Sequence, residues 1–147
     1  FLQHVSHFKQ YEKRTWEVIQ QVGLEYRALT LARTLPHGDQ RKLELGIILA
    51  PDPELLLLDE PTAGMAAEQV PELIQLIQQI QEAGNKTVML VEHNMNVVMS
   101  VSDYITVMHL GRVLAEGKPA EIAANENVQS AYLGALYSDA TKQPESK

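Results

Sequence analysis

Cysteine is absent from the 147 residues, which excludes disulfides and thiolate metal sites and is compatible with a reducing compartment. Basic clusters are also missing: Lys and Arg occur in runs no longer than pairs such as Lys13-Arg14 and Arg41-Lys42. Twelve of them against nineteen Asp and Glu leave a formal charge of −7. The electrostatic footprint of a nucleic-acid binder is not there, so DNA and RNA are disfavoured as partners. No apolar run approaches the roughly 18 residues that span a bilayer, and no signal-peptide pattern opens the chain. A role at a membrane therefore has to pass through a partner. The chain opens on Phe1 in the middle of an apolar pattern, and the expectation is a piece of something longer.

What is present fits a globular α/β chain with a core, at 45% hydrophobic and 21% charged residues. Leu55-Leu56-Leu57-Leu58 followed by Asp59-Glu60-Pro61-Thr62 is the most informative stretch. Four leucines predict a central parallel strand covered on both faces, over Glu54 to Asp59. Lys86 to Glu92 predicts a second such strand with His93 at its end. Two short helices are expected up to Arg33, broken near Gly23. A helix from Gln40 to Ala50 is expected with Asp39 as N-cap and Leu43, Ile47 and Leu49 buried, and another from Ala66 to Ala83 with a stop at Gly84-Asn85. A short helix Met95 to Val101 precedes a strand Tyr104 to Leu110. Leu110-Gly111-Arg112 then turns into Val113 to Glu116, a hairpin that adds an antiparallel edge. A last helical region from Lys118 includes Ala131, Tyr132 and Leu133. Strands alternating with helices argue for right-handed βαβ units and a parallel sheet.

Three features carry chemistry. At the carboxyl end of a parallel strand, where open α/β sheets bind ligands, Asp59 is placed to hold Mg²⁺, directly or through water. Glu60 is placed to orient or deprotonate a water for attack on a γ-phosphate. Taken in isolation, an Asp-Glu pair reads more readily as a strand end followed by acidic helix-capping residues, because surface carboxylates are common. His93 at the end of the second strand reaches the same edge if the two strands are neighbours; alone it reads as a capping or packing residue. The loop Leu35 to Arg41 opens a helix, with Gly38 permitting close backbone approach to an anion, or simply turning the chain.

In combination and in this order, these features resemble the nucleotide-binding domains of ABC transporters. Leu35-Pro36-His37-Gly38-Asp39-Gln40 stands at that family's signature loop, which completes the partner's ATP site in a dimer. Leu55 to Asp59 is similar to the Walker B strand. Glu60 matches the catalytic glutamate, Thr62-Ala63-Gly64-Met65 the D-loop, and His93 the switch histidine. Gly38 to Leu45, Pro61 to Met65, Glu92-His93-Asn94-Met95 and Ala131-Tyr132-Leu133-Gly134 look like the ATP-binding subunits of branched-chain amino acid importers. The resemblance implies the carboxyl-terminal part of a P-loop NTPase (ABC ATPase) fold, with parallel strands, flanking helices, a small antiparallel edge hairpin and part of the helical subdomain. Residues 1–34 would belong to the helical subdomain and 35–137 to the core portion with signature loop, Walker B and switch histidine; 138–147 are expected to be a disordered tail. It further implies ATP and Mg²⁺ as cofactors, a second ATP-binding subunit, transmembrane permease subunits and, indirectly, a substrate-binding protein as partners. The location implied is cytoplasmic, on the inner face of the cell membrane.

The sequence departs from the family in two ways. The phosphate loop G-x-x-x-x-G-K-[ST] occurs nowhere in these residues, so ATPase activity is expected of the intact protein and not of this chain by itself. The alternative is a non-enzymatic truncated module that acts through protein contacts. Pro36 stands where the family usually has serine and offers neither a hydroxyl nor an amide donor, which predicts a weakened grip on phosphate.

Overall fold

A computed structural model describes residues 9–83 and 85–131. They fall into two compact units that part between Asn94 and Met95. In the first unit, helix α1 spans Lys9–Gln21. It ends as the break at Gly23 predicts: Gly23 takes φ +67, and the amides of Gly23 and Leu24 close back on the carbonyls of Gln20 (3.0 Å) and Ile19 (2.9 Å). The expected second helix is instead two single 3-10 turns, Glu25–Arg27 and Ala32–Thr34. The part of the first expected helical region before Lys9 lies outside the described residues.

Helix α2, His37–Leu49, begins three residues earlier than expected, with Pro36 at the N-cap (φ −56, ψ 153) in place of Asp39. Proline's fixed φ suits an extended residue just ahead of a helix, and its carbonyl accepts the first helical bond from the Gln40 amide at 2.9 Å. The buried stripe runs Lys42, Leu45, Gly46, Leu49, the i, i+3, i+4, i+7 set, which leaves Ile47 65% exposed and corrects its placement in the core. Arg14 of α1 caps the other end, donating to the carbonyls of Leu49 (2.8 Å) and Ala50 (3.1 Å).

Strand β1 (Leu55–Asp59), helix α3 (Val70–Glu82) and strand β2 (Thr87–Val91) make a βαβ unit, β1 and β2 pairing in parallel with Leu55 opposite Thr87 and Asp59 opposite Val91. Helix α3 starts at Val70, later than Ala66, because Ala66 to Gln69 close a turn of their own and Pro71 suits a helix's first positions. The helix stop expected at Gly84 lies outside the described residues. Leu56 and Leu58 are buried with Leu45, Leu49, Leu73, Ile77 and Ile80. Leu55 and Leu57, by contrast, are 52% and 63% exposed. The reading of β1 as covered on both faces is therefore corrected: among the described residues all three helices of this unit pack on one side, and strand alternation turns Leu55 and Leu57 to the other.

In the second unit, α4 (Met95–Val101) lies before the strands β3 (Ile105–His109) and β4 (Arg112–Gly117), followed by α5 (Pro119–Ala123) and a helical stretch at 126–131. The hairpin closes on Leu110-Gly111, φ +49 and +76, the two left-handed residues of a tight hairpin turn, which is why glycine follows leucine there. These strands form a two-stranded antiparallel sheet of their own and do not extend the β1–β2 sheet as an edge. The pairing runs from His109 opposite Arg112 to Ile105 opposite Gly117, with a bulge at Leu114 where the register shifts, and Ile105, Ile122 and Val128 seal its apolar side. Asn125 Oδ1 caps the stretch at 126–131 by accepting from the amides of Asn127 (3.0 Å) and Val128 (3.2 Å). Tyr132, Leu133 and the tail 138–147 lie outside the described residues. No described helix is long and apolar enough to cross a membrane.

Candidate functional site at two strand ends

The parallel register brings the residues that follow β1 and β2 to one edge. One ladder bond continues past the strands, from the Glu60 amide to the Val91 carbonyl at 2.8 Å. Glu60 then takes φ +43, an uncommon conformation for a residue with a Cβ, and the chain leaves the strand for the loop Pro61 to Met65. Its Oε1 lies 3.3 Å from His93 Nδ1, and the two side chains are 50% and 75% exposed. A carboxylate and an imidazole in contact, both open to solvent at the carboxyl ends of adjacent parallel strands, can share a proton and hold a water between them and a ligand. Asp59, exposed on the outer face of β1, stands next to this pair.

Glu92 sits differently. It continues the inward face of β2 after Val88 and Leu90 and is half-buried. Its Oε1 accepts from the Thr62 amide (3.2 Å) and Thr62 Oγ1 (2.5 Å), and its Oε2 from the amides of His93 (3.2 Å) and Asn94 (3.4 Å). Burial pulls the carboxyl upward, but the bonds from Thr62, Asn94 and His93 outweigh it and hold the group below the usual glutamate range. Ala63, Gly64 and Met65 complete the loop: the Ala63 amide donates to the Glu60 carbonyl (2.9 Å), Met65 to Thr62 (3.2 Å), and Gly64 turns at φ +76. From α2, Arg41 Nη2 donates to the Ala63 carbonyl at 3.1 Å while Nη1 pairs with Glu44 at 2.6 Å. Sequence reasoning missed Glu92 and Arg41 as site residues. The signal for Glu92 was available in the alternation Val88, Leu90, Glu92, which carries a carboxylate inward.

The stretch Leu35 to Gln40 is not brought to Glu60 and His93; its contacts run elsewhere. Leu35 is buried, Pro36 and His37 are exposed, and Gln40 Nε2 donates to the Leu35 carbonyl at 2.9 Å. Asp39, buried in the first turn of α2, accepts from Tyr26 Oη at 3.2 Å and lies 3.6 Å from Arg27 Nε. A Cβ on Gly38 would come within 2.9 Å of the Gln69 side chain, so that side chain already lies against the glycine.

The residues fit a magnesium ion in one respect only. Mg²⁺ is usually held by one or two carboxylates with waters and phosphates, and Asp59 offers one such carboxylate. Among the described residues no group of three or more His, Cys, Asp or Glu could hold a metal. For a nucleotide's phosphates, the chain has no G-x-x-x-x-G-K-[ST] loop. A cavity of about 100 Å³ between α2, α3 and β1, lined by Arg41, Ile48, Asp59 and Ile77 among others, is below the roughly 300–1,000 Å³ of ligand pockets. The site is thus open surface at the strand ends.

The fold is that of an ATP-binding cassette. The ADP conformation of MJ1267, an ATP-binding cassette of an ABC transporter, superposes with a TM-score of 0.76 at 22% identity, over 85% of this chain and 50% of that one. A family model described as ABC transporter matches residues 2–63, and one described as branched-chain amino acid ATP-binding cassette transporter matches residues 112–136. The chain is 42% identical over 120 residues to the high-affinity branched-chain amino acid transport ATP-binding protein LivG of Salmonella typhimurium, covering 82% of this chain and 46% of that protein. It is 41% identical to the corresponding protein BraF of Pseudomonas aeruginosa, over 79% of this chain and 46% of that protein. The chain belongs to the ABC-transporter ATP-binding family, and it spans about half the length of the curated relatives it matches.

Proposed function

We propose that these residues supply the hydrolytic half of an ATP site in the ATPase subunit of an ABC importer, for branched-chain amino acids or related small polar nutrients. The observation that carries this is the contact of Glu60 with His93 across two parallel strand ends, at 3.3 Å and open to solvent, in a chain 42% identical to a branched-chain amino acid transport ATP-binding protein. In this reading Glu60 takes a proton from the attacking water at its carboxylate, and His93 holds Glu60 and the water in place. Asp59 would hold Mg²⁺, whose chemistry when bound is to neutralise charge on the phosphates. Leu35 to Gln40 form the signature loop and serve a second ATP-binding subunit; Thr62 to Met65 form the D-loop. With Asp39 turned to Tyr26 and Arg27, its charge is engaged away from a phosphate, so the departure at Pro36 weakens the loop without closing it. Transmembrane permease subunits on the inner face of the cell membrane, with a substrate-binding protein beyond them, are the proposed partners. Residues 1–34, 35–137 and 138–147 are proposed as helical subdomain, core portion and tail.

The test is steady-state phosphate release from Mg-ATP by the full-length protein. Glu60→Gln is expected to lower it at least about a hundredfold, with nucleotide still bound; an unchanged rate would sink the assignment. The missing phosphate loop favours one other reading, a non-enzymatic module. It prevails if the reading frame upstream of Phe1 encodes no Gly-x-x-x-x-Gly-Lys motif.

A further inference from the structure

Glu92 has no part in the chemistry just described, yet it is the most heavily bonded carboxylate at the site. The two loops that carry Glu60 and His93 leave adjacent strands, and the backbone ladder ends with the bond from the Glu60 amide to Val91. Beyond that bond the loops are joined through side chains. Glu92 spans them: one oxygen takes both donors of Thr62 on the loop after β1, the other takes the amides of His93 and Asn94 on the loop after β2. A carboxylate has about four lone-pair directions, and here four donors fill them. Glu92 therefore has no free acceptor for a water, which removes it as a base. Bonds to an ionised acceptor are also the stronger kind, so its rotamer is fixed in a way that the half-exposed Glu60 is not.

We propose that Glu92 is a positioning residue, a strut whose single carboxylate sets the loop of Glu60 against the loop of His93 and so keeps that pair in register. This rests on the reading of Glu60 and His93 as the hydrolytic pair. Arg41, which grips the same loop one residue further on at the Ala63 carbonyl, anchors the loop's far side to α2.

The experiment uses the full-length protein with Glu92→Gln and Thr62→Val. Glutamine keeps one oxygen that can accept from Thr62, but its amino group cannot accept from the His93 and Asn94 amides. Each variant is expected to lower kcat about tenfold, as small misplacements of reacting groups do, while the Kd for Mg-ATP stays within about twofold, because Glu92 touches no ligand in this account. The double variant should be no slower than the worse single one, since both break the same strut. In amide NMR spectra, the His93 and Asn94 protons should move upfield in Glu92→Gln. An unchanged kcat, a loss confined to nucleotide affinity, losses that multiply in the double variant, or unmoved amide protons would each overturn the strut. If Glu92→Gln does not fold, Thr62→Val, which removes one bond and leaves the carboxylate, carries the kinetic test. Failure of the hydrolytic reading is seen separately: Glu60→Gln would then leave the rate untouched, and the amide shifts would still decide whether Glu92 joins the loops.

Discussion

Glu60 and Glu92 hold the same position on neighbouring strands, each the first residue past its strand's end, and they differ in almost everything else. Glu60 is half-exposed with an imidazole beside it; Glu92 is half-buried with four donors on its two oxygens. The backbone makes the difference. At Glu60 the chain turns out of the sheet with φ +43, whereas Glu92 follows the inward parity of Val88 and Leu90. One carboxylate is left able to exchange protons and ligands, and the other is consumed in holding loops. In the proposed reading, identical side chains at equivalent places thus divide into reacting and supporting groups by the number of fixed partners each has.

The comparison can be strained at several points. The largest effect expected is at the reactive end: His93→Ala in the full-length protein should lower phosphate release about a hundredfold while shifting urea unfolding by no more than about 0.5 kcal/mol, since the side chain is exposed. Next, Glu92→Ala should destabilise by about 1–2 kcal/mol, because it strands donors that are partly shielded from water; a change as small as that of Glu60→Ala would break the contrast. Asp39 offers a second supporting carboxylate. Tyr26→Phe, which removes its hydroxyl donor, should cost about 1 kcal/mol in the same assay.

The smallest effect is in pH. Glu92's carboxyl lies lower in the folded chain than in the unfolded one. Its contribution is then fully present above the ordinary glutamate range and is lost as pH falls through the depressed folded value. Glu92→Gln should flatten that part of the stability profile, with unfolding measured across the acid limb.

The strand ends were legible because Leu55 to Leu58 can hardly be anything but strand, and Pro61 closes the pattern just after Asp59-Glu60. The pairing of Glu60 with His93 followed from adjacency in a parallel sheet, which local pattern implies through the helix between. The start of α2 was not legible. Capping preference favours Asp39, but that carboxylate is drawn off by Tyr26 and Arg27, residues more than a turn away in sequence, and Pro36 takes the N-cap. Ile47 misled for a related reason: a helix with isoleucines and leucines on several sides does not declare which stripe meets α1 and α3. Leu55 and Leu57 show the limit of reading a leucine run as burial on both faces, for hydrophobicity says that a face can be covered, not that it is. Glu92 was passed over because it read as the last residue of an apolar strand, with the chemistry assigned to His93 just beyond it; the strand in fact ends at Val91.

The measurement that tests the division of labour most directly is phosphate release and urea unfolding, taken side by side on the full-length protein carrying Glu60→Gln or Glu92→Gln. The account predicts that Glu60→Gln loses at least about a hundredfold in rate with its unfolding midpoint unmoved, and that Glu92→Gln loses stability together with a smaller, about tenfold, share of the rate. Two variants that behave alike in both assays would contradict it.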